Sequence, residues 1–363
     1  MGKGYLLLEN GQVFEGKTFG ALKDVSGELV FTTNMTGYLE TLTDPSYYGQ
    51  LVVQTFPMIG NYGVIPGDYE SSSPRVSAYI VRSWCETPSN FRCECTVNSL
   101  LQEAGIPGLY DLDTRALTKV IRQKGTMNAM LLHSHPVNVE SLVMEMKTLP
   151  MPKVKDVTCS CTIVDTPASV KRRVVLMDFG TKGSIKRSLY QRGCEVITVP
   201  AYATAEDILV YNPDGIMLSN GPGDPADNEG IIQELHKLCK SKLPIVGICL
   251  GHQLLALARG GKTEKLMYGH RGGNQPVKDL LTGQMYMSSQ NHGYAVSLEH
   301  LPAGNRLRYV NGNDHTCEGI DYLDIPAFSV QFHPEASCGP LDTLFLFDRF
   351  MALMGGLGNA AES

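Results

Sequence analysis

The sequence contains no apolar run approaching the roughly 18 residues that a membrane helix needs, so no membrane span is expected. Its amino terminus, MGKGYLLLENGQVFEG, has one lysine and a short leucine run, too little for a secretory signal, and a cytoplasmic protein is expected. Basic charge is not in excess. The 31 Lys and Arg stand against 37 Asp and Glu, a net charge of −6, which gives no electrostatic reason to bind nucleic acid. Small molecules or proteins are the expected partners. A phosphate loop is absent as well: Gly261-Lys262-Thr263 ends like one, but the motif needs glycine at 256 and the residue there is Ala256. Zinc-type spacing is missing too. The 10 cysteines are scattered, and Cys93-Glu94-Cys95 and Cys159-Ser160-Cys161 have one intervening residue where zinc half-sites use two to four. Reduced thiols and no metal are expected.

What is present is the composition of a globular chain, 43% hydrophobic and 19% charged, and 363 residues are more than one ordinary core holds. Residues 1–150 carry short β-type segments (Tyr5 to Leu8, Val13-Phe14, Glu28 to Thr33) parted by glycine turns, which reads as an antiparallel β region. Leu51 to Phe56 and Val76 to Val81 read as further strands. Thr96 to Ala104 and Thr114 to Gln123 then read as helices with threonine starts and glycine stops, so this part is an α+β domain. Residues 151–172, with Pro152, Pro167 and mixed charge, read as a linker. From 173 to 363 strand and helix patterns alternate, and a mainly parallel sheet with helices on both faces is expected. In such a sheet the site lies beyond the carboxyl ends of the strands. Three loops leave those ends: Asp178-Phe179-Gly180, Ser219 to Pro225, and the turn at Cys249. Beyond Ala258 the chain reads as β-rich again (Gln284 to Met287, Ala295 to Ser297, Ala327 to Phe332), with a final helix over Leu341 to Leu353.

The most informative stretch is Leu243 to Ala258, LPIVGICLGHQLLALA. Pro244 to Ile248 suits a buried strand, and Gln253 onward has helical spacing. The turn between them is G-x-C-x-G, Gly247-Ile248-Cys249-Leu250-Gly251, the cysteine form of a nucleophile elbow. A helix start beyond the thiol supplies partial positive charge and backbone N–H groups, which activate a thiol and bind an oxyanion. An inert buried cysteine is the bland alternative, and the paired glycines argue against it.

A thiol nucleophile needs a base, and the base an orienting group. Phe328, Val330 and Phe332 alternate with Ser329, Gln331 and His333 as in a half-buried strand, and Pro334 keeps the chain extended. His333 and Glu335 then fall on one side. Taken alone, the H-P-E stretch is better read as a strand-end histidine beside an exposed glutamate, and His252 and His292 compete as bases by residue type. His252 sits in the elbow's own helical start, where a structural hydrogen bond is expected. Asn220 to Pro225 is either a tight turn or a loop that brings backbone close to a ligand, and Ser289 to Tyr294 either a polar turn or a pocket wall.

Taken together, GICLGHQ, NGPGDP and FHPE resemble the class I, triad-type glutamine amidotransferases over roughly Arg173 to Met354. That resemblance implies a Cys249 nucleophile attacking the glutamine side-chain amide, His333 moving protons, Glu335 orienting His333, and oxyanion donors at the N–H groups of Leu250 and Gly223. LENGQVFEGKTFG, TGYLETLTDPSYYGQ, TFPMIGNYG, GIPGLYDLDTRALTKVIRQKG, DFGTKGSI and SQNHGYAV further resemble the small subunits of carbamoyl-phosphate synthetases over nearly the whole chain. By that likeness Ser46, Gly221, Gly223, Leu250, Gln253, Asn291, Gly293 and Tyr294 hold L-glutamine. The chain itself would carry no cofactor. ATP, magnesium and bicarbonate would belong to a large synthetase subunit, docked on the amino-terminal domain, that uses the ammonia for arginine synthesis, pyrimidine synthesis or both. Tyr294 stands where the family often has Phe, Ser184 where it has Asn, and Cys338 where it has Pro, which places a second thiol near the site. An amidotransferase for another acceptor would lack such an amino-terminal domain. A silent docking scaffold would not need Cys249, His333 and Glu335 intact, and a cysteine protease or esterase would share the elbow but not the NGPGDP loop.

Overall fold

The β segments at the start of the chain close on themselves. In the computed structural model, which describes residues 2–301, 304–336 and 338–356, the chain divides into two compact units, Met1–Met151 and Pro152–Ser363. In the first unit β1 (Lys3–Leu8), β2 (Val13–Gly20), β3 (Val25–Thr32), β4 (Gln50–Gln54), β5 (Ala78–Ile80), β6 (Pro107–Tyr110) and β7 (Met127–Leu132) form a closed barrel in the order β1-β2-β6-β5-β4-β3-β7. Closure leaves no strand edge open to another chain.

The antiparallel expectation holds only where connections are short or strands return across the barrel. β1 pairs antiparallel with β2 through the Asn10-Gly11 turn, and with β7, whereas β3–β4, β4–β5 and β5–β6 are parallel. Those three connections are long, which is what parallel crossovers require. Helix α1 (Val97–Glu103) starts at the Thr96 cap, whose side chain accepts from Ser99 N. Helix α2 (Thr114–Lys124) is capped one residue before its expected threonine start, by Asp113 accepting from Ala116 N.

The second unit is organised by a 10-stranded sheet. Its strands are β8 (Ile163–Asp165), β9 (Arg172–Asp178), β10 (Cys194–Pro200), β11 (Gly215–Leu218), β12 (Ile245–Ile248), β13 (Thr263–Asp279), β14 (Met285–Val296), β15 (Asn305–Asn311), β16 (Cys317–Tyr322) and β17 (Ala327–Val330), in the order β8-β10-β9-β11-β12-β17-β16-β15-β13-β14. The run β10-β9-β11-β12-β17 is parallel. Alternate residues of its strands feed opposite faces. Val175, Met177, Ile216 and Leu218 pack with helices α4 (Glu229–Lys240) and α5 (Leu250–Ala258). Val174, Leu176, Met217 and Val246 pack with α3 (Gly183–Gln191) and α6 (Phe345–Met354). Burial on both faces is why these strands read as short continuous apolar runs.

Two features differ from the sequence reading, and one stretch of it is not described. Residues 151–172, expected to be a linker, contribute Val154 to the core and β8 to the sheet edge, antiparallel to β10. The parallel core continues into an antiparallel extension, β16-β15-β13-β14, of which only pieces of β14 were legible. The last seven positions of the 173–363 range, 357–363, lie outside the described residues.

Candidate active site

Strand β12 turns into α5 at Cys249, which has φ 54° and ψ −107°, a positive-φ conformation that a side chain adopts only under strain. The turn is held by Cys249 N donating to the Val330 carbonyl at 2.9 Å and by Gly251 N donating to the Ser219 carbonyl at 2.9 Å. The two flanking glycines are needed for close approach. A Cβ on Gly247 would fall 2.6 Å from the Gly251 oxygen, and one on Gly251 would fall 2.4 Å from the Leu218 oxygen. Cys249 is 2% exposed and its Sγ lies 3.6 Å from the Asn291 carbonyl. Leu250 is the first residue of α5, so its N–H is one of those that point out of the helix start.

The expected strand over Ala327 to Phe332 ends at Val330, and the chain then bends. His333 is fixed by its N–H donating to the Ser289 carbonyl at 2.8 Å. Its Nδ1 lies 2.6 Å from Glu335 Oε1, so the two side chains do meet on one side of the chain. Lys182 Nζ donates to the same Oε1 at 3.1 Å. All three are buried. Burial would raise the Glu335 carboxyl, but the Lys182 and His333 charges outweigh it and hold it down at about 2. Burial, the largest influence, would lower His333 and Lys182 pulls the same way, but the Glu335 charge, the Cys249 contact and the Glu335 hydrogen bond together outweigh them, leaving His333 well above its ordinary range. With Nδ1 committed to Glu335, Nε2 remains for exchange with the thiol. It has no hydrogen-bond partner among the described residues.

The competing histidines are placed elsewhere. His252 Nδ1 lies 2.7 Å from Ser329 Oγ, and complete burial holds the ring at about 3, that is, neutral. His292 is likewise pushed well below its usual value, first by burial and then by the nearby His270 charge, and its nitrogens lie 2.8 Å from the Tyr294 carbonyl and 3.1 Å from Gln290 Oε1.

Loops at the carboxyl ends of β9 and β11 interlock around Lys182. Asp178 Oδ1 accepts from Gly180 N at 3.0 Å and Thr181 N at 2.7 Å. Phe179 N donates to Ser219 Oγ at 2.9 Å and Lys182 N to Asn220 Oδ1 at 3.0 Å. Gly221 packs so tightly on this loop that a Cβ would lie 2.2 Å from the Phe179 oxygen, and Gly223 has φ 91°. Gln253 Nε2 reaches from α5 to the Tyr294 carbonyl at 2.8 Å and to Gln331 Oε1 at 2.9 Å. The structure thus gathers Gly221, Leu250, Gln253, Asn291 and Tyr294 on the elements next to Cys249, with Gly293 between Asn291 and Tyr294 on β14. Ser46 belongs to the first unit, in the turn Pro45–Tyr47, where its N–H donates to Asp44 Oδ1 at 2.9 Å. Cys338 is half-buried in the turn after Glu335.

Lys182 is the residue that the sequence reading quoted, inside DFGTKGSI, without giving it a task. The signal was charge: a buried carboxylate such as that of Glu335 is more readily kept ionised when a lysine lies beside it. Among the described residues, His270, His292 and Glu318 bring one donor atom each within 4.8 Å of one another, the kind of grouping a metal ion uses. His270 is already ion-paired there, with Asp314 Oδ2 at 2.8 Å and Glu318 Oε1 at 3.4 Å.

Residues 175–353 match the family model for glutamine amidotransferase class-I, and the second unit is of that class. Residues 6–131 match carbamoyl-phosphate synthase small chain, CPSase domain. The chain is 49% identical to the carbamoyl phosphate synthase small chain of Bacillus caldolyticus over 99% of both chains. It is 49% identical to that of Fusobacterium nucleatum, covering 95% of this chain and 96% of the relative, and 47% identical to that of Listeria monocytogenes over 98% of each. The chain belongs to the carbamoyl phosphate synthase small chain family.

Proposed function

We propose that this chain is the glutaminase subunit of a glutamine-hydrolysing carbamoyl-phosphate synthetase and that Cys249, His333 and Glu335 perform the hydrolysis. His333 Nε2 carries the proton that the thiol gives up, consistent with its raised affinity for protons, and the sulfur adds to the side-chain amide carbon of L-glutamine. The oxygen that becomes negative is met by the N–H groups of Leu250, at the α5 start, and of Gly223. Collapse breaks the C–N bond, His333 returns the proton to the leaving nitrogen, and ammonia departs from a γ-glutamyl thioester on Cys249. Water, deprotonated by His333, then adds to the thioester; sulfur leaves and glutamate is released. Glu335 holds the imidazole by Nδ1 and stabilises its cationic form throughout. Gly221, Gly223, Leu250, Gln253, Asn291, Gly293 and Tyr294 are proposed to hold the substrate, several through backbone atoms.

The observation that carries this reading is the buried His333–Glu335 contact of 2.6 Å, in the same unit as a strained elbow thiol. The ammonia is delivered to an ATP-dependent large subunit, docked on the first unit, which uses bicarbonate and magnesium to make carbamoyl phosphate for arginine or pyrimidine synthesis. Ammonia released into water would be protonated and diluted, so the supplier works best against its consumer. The test is glutamine hydrolysis by the chain alone and with its large subunit, with bicarbonate and ATP present or absent. Acceleration in the complete mixture is expected, and a chain that hydrolyses glutamine equally fast in all four conditions would refute the coupling.

A further inference from the structure

Behind the Asn291 to Tyr294 wall lies a polar cluster that takes no part in the proton transfers described above. His270 on β13 stands opposite His292 on β14, ring edge to ring face, with centroids 5.0 Å apart. His270 Nε2 meets Asp314 Oδ2 at 2.8 Å, and Nδ1 meets Glu318 Oε1 at 3.4 Å. Glu318, fully buried on β16, also accepts from Asn311 Nδ2 at 3.1 Å. Apolar side chains of similar volume would hold these strands at least as firmly, so ionised groups here call for a reason beyond stability.

The β13–β14 ladder shows where the reason lies. Its register shifts between Lys265 and His270 and again between Gly272 and Gln275. The short piece pairing His270 to Gly272 with Gln290 to His292 is therefore bounded by irregularities on both sides, and main-chain pairing alone fixes it weakly. That piece carries the catalytic-side wall. The Asn291 carbonyl lies 3.6 Å from Cys249 Sγ, and His292 Nδ1 and Gln253 Nε2 both reach the Tyr294 carbonyl, each at 2.8 Å. On the far side, the Glu318 carbonyl accepts from Gln331 N at 2.9 Å, and the Gln331 side chain holds Gln253.

We propose that His270, Asp314 and Glu318 are positioning residues for the substrate: the ion-paired cluster locks the interrupted ladder so that Asn291 to Tyr294 present one fixed wall to glutamine. They act through His292 and Gln253 and touch neither the thiol nor the transferred proton, so they set glutamine affinity and leave the chemical step alone. The inference rests on the glutaminase reading.

The test is steady-state glutamine hydrolysis by the full chain with its large subunit, comparing wild type with Glu318→Gln and Asp314→Asn, which keep size and hydrogen-bonding capacity. Both variants should raise KM for glutamine ~10-fold while kcat stays within about twofold, the pattern of lost substrate binding. Synthesis fed by free ammonia should be unchanged. Asp314 lies in an exposed turn, so its variant reports even where Glu318→Gln folds poorly. An unchanged KM in a folded Asp314→Asn, or a fall in kcat at constant KM, would overturn the proposal. So would a wild-type KM that rises on EDTA treatment and returns with zinc, because His270, His292 and Glu318 would then be metal ligands. Wild type without any glutamine hydrolysis would instead defeat the glutaminase reading itself.

Discussion

Lys182 Nζ lies 3.1 Å from the Glu335 oxygen that also binds His333 Nδ1, so one carboxylate oxygen serves a lysine and an imidazole at once. Lys182→Met would leave a buried carboxylate with one fewer cation, a type of loss worth ~3 kcal/mol or more when a buried pair is broken from one side. Lys182→Met should therefore lower unfolding stability strongly, and adding Glu335→Gln to it should restore part of the loss, because the uncompensated charge is then gone. Urea melts of the two single variants and the double variant give the coupling. Additive losses would mean that the two side chains do not share this energy.

Division of labour within the proposed triad gives a second expectation. His333→Asn removes the group that moves protons and should abolish measurable turnover. Glu335→Gln keeps base and nucleophile but loses the stabilisation of the imidazolium, and should retain more activity than His333→Asn. Cys249→Ser should lose glutamine hydrolysis with little change in stability, while synthesis fed by ammonia in the complex continues. Equal losses at positions 333 and 335 would contradict the assigned roles.

The His270 cluster gives a pH dependence. Burial would lower the His270 pKa, but the Asp314 and Glu318 carboxylates outweigh it and raise it from 6.5 to about 9. A folded-state value above the unfolded one means that the ion pairs contribute fully below about pH 6.5 and are lost as pH rises through about 9. Unfolding free energy measured by urea should accordingly fall across that window. The decline should be shallower in His270→Gln, which has no proton to lose there. Parallel curves for the two proteins would remove His270 as the cause.

The contrast between legible and illegible parts of the chain follows from how each part buries itself. Val174 to Met177, Gly215 to Leu218 and Ile245 to Ile248 are buried on both faces, so each shows as a compact apolar run and the parallel core could be read. β13 could not: Gly269, Gly272, Gly273 and Pro276 interrupt it and its register shifts twice, so no period of two survives. Within the candidate site, Cys249, His333 and Glu335 could be singled out in the sequence because each sits in a short local motif, and the fold shows the His333–Glu335 contact. Lys182 is 153 residues from Glu335 in sequence, and only folding brings the two together. The His270 cluster was illegible for the same reason, since its members come from separate strands and a turn.

The conformation of Cys249 allows a final test that needs no activity assay. In most positions replacing alanine by glycine lowers stability, by roughly 0.5–1 kcal/mol in a regular element, because glycine loses more backbone entropy on folding. At φ 54° and ψ −107° the order should reverse, since any Cβ there is strained by about 1–3 kcal/mol and glycine is not. Cys249→Gly should therefore be more stable than Cys249→Ala by ~1 kcal/mol, although both lose the thiol. Gly251→Ala, which would place a Cβ 2.4 Å from the Leu218 oxygen, should destabilise the unit through a backbone clash. Thermal or urea unfolding of the three variants settles the point. A Cys249→Ala protein as stable as Cys249→Gly would show that the turn relaxes without cost, and that the thiol is not held under strain.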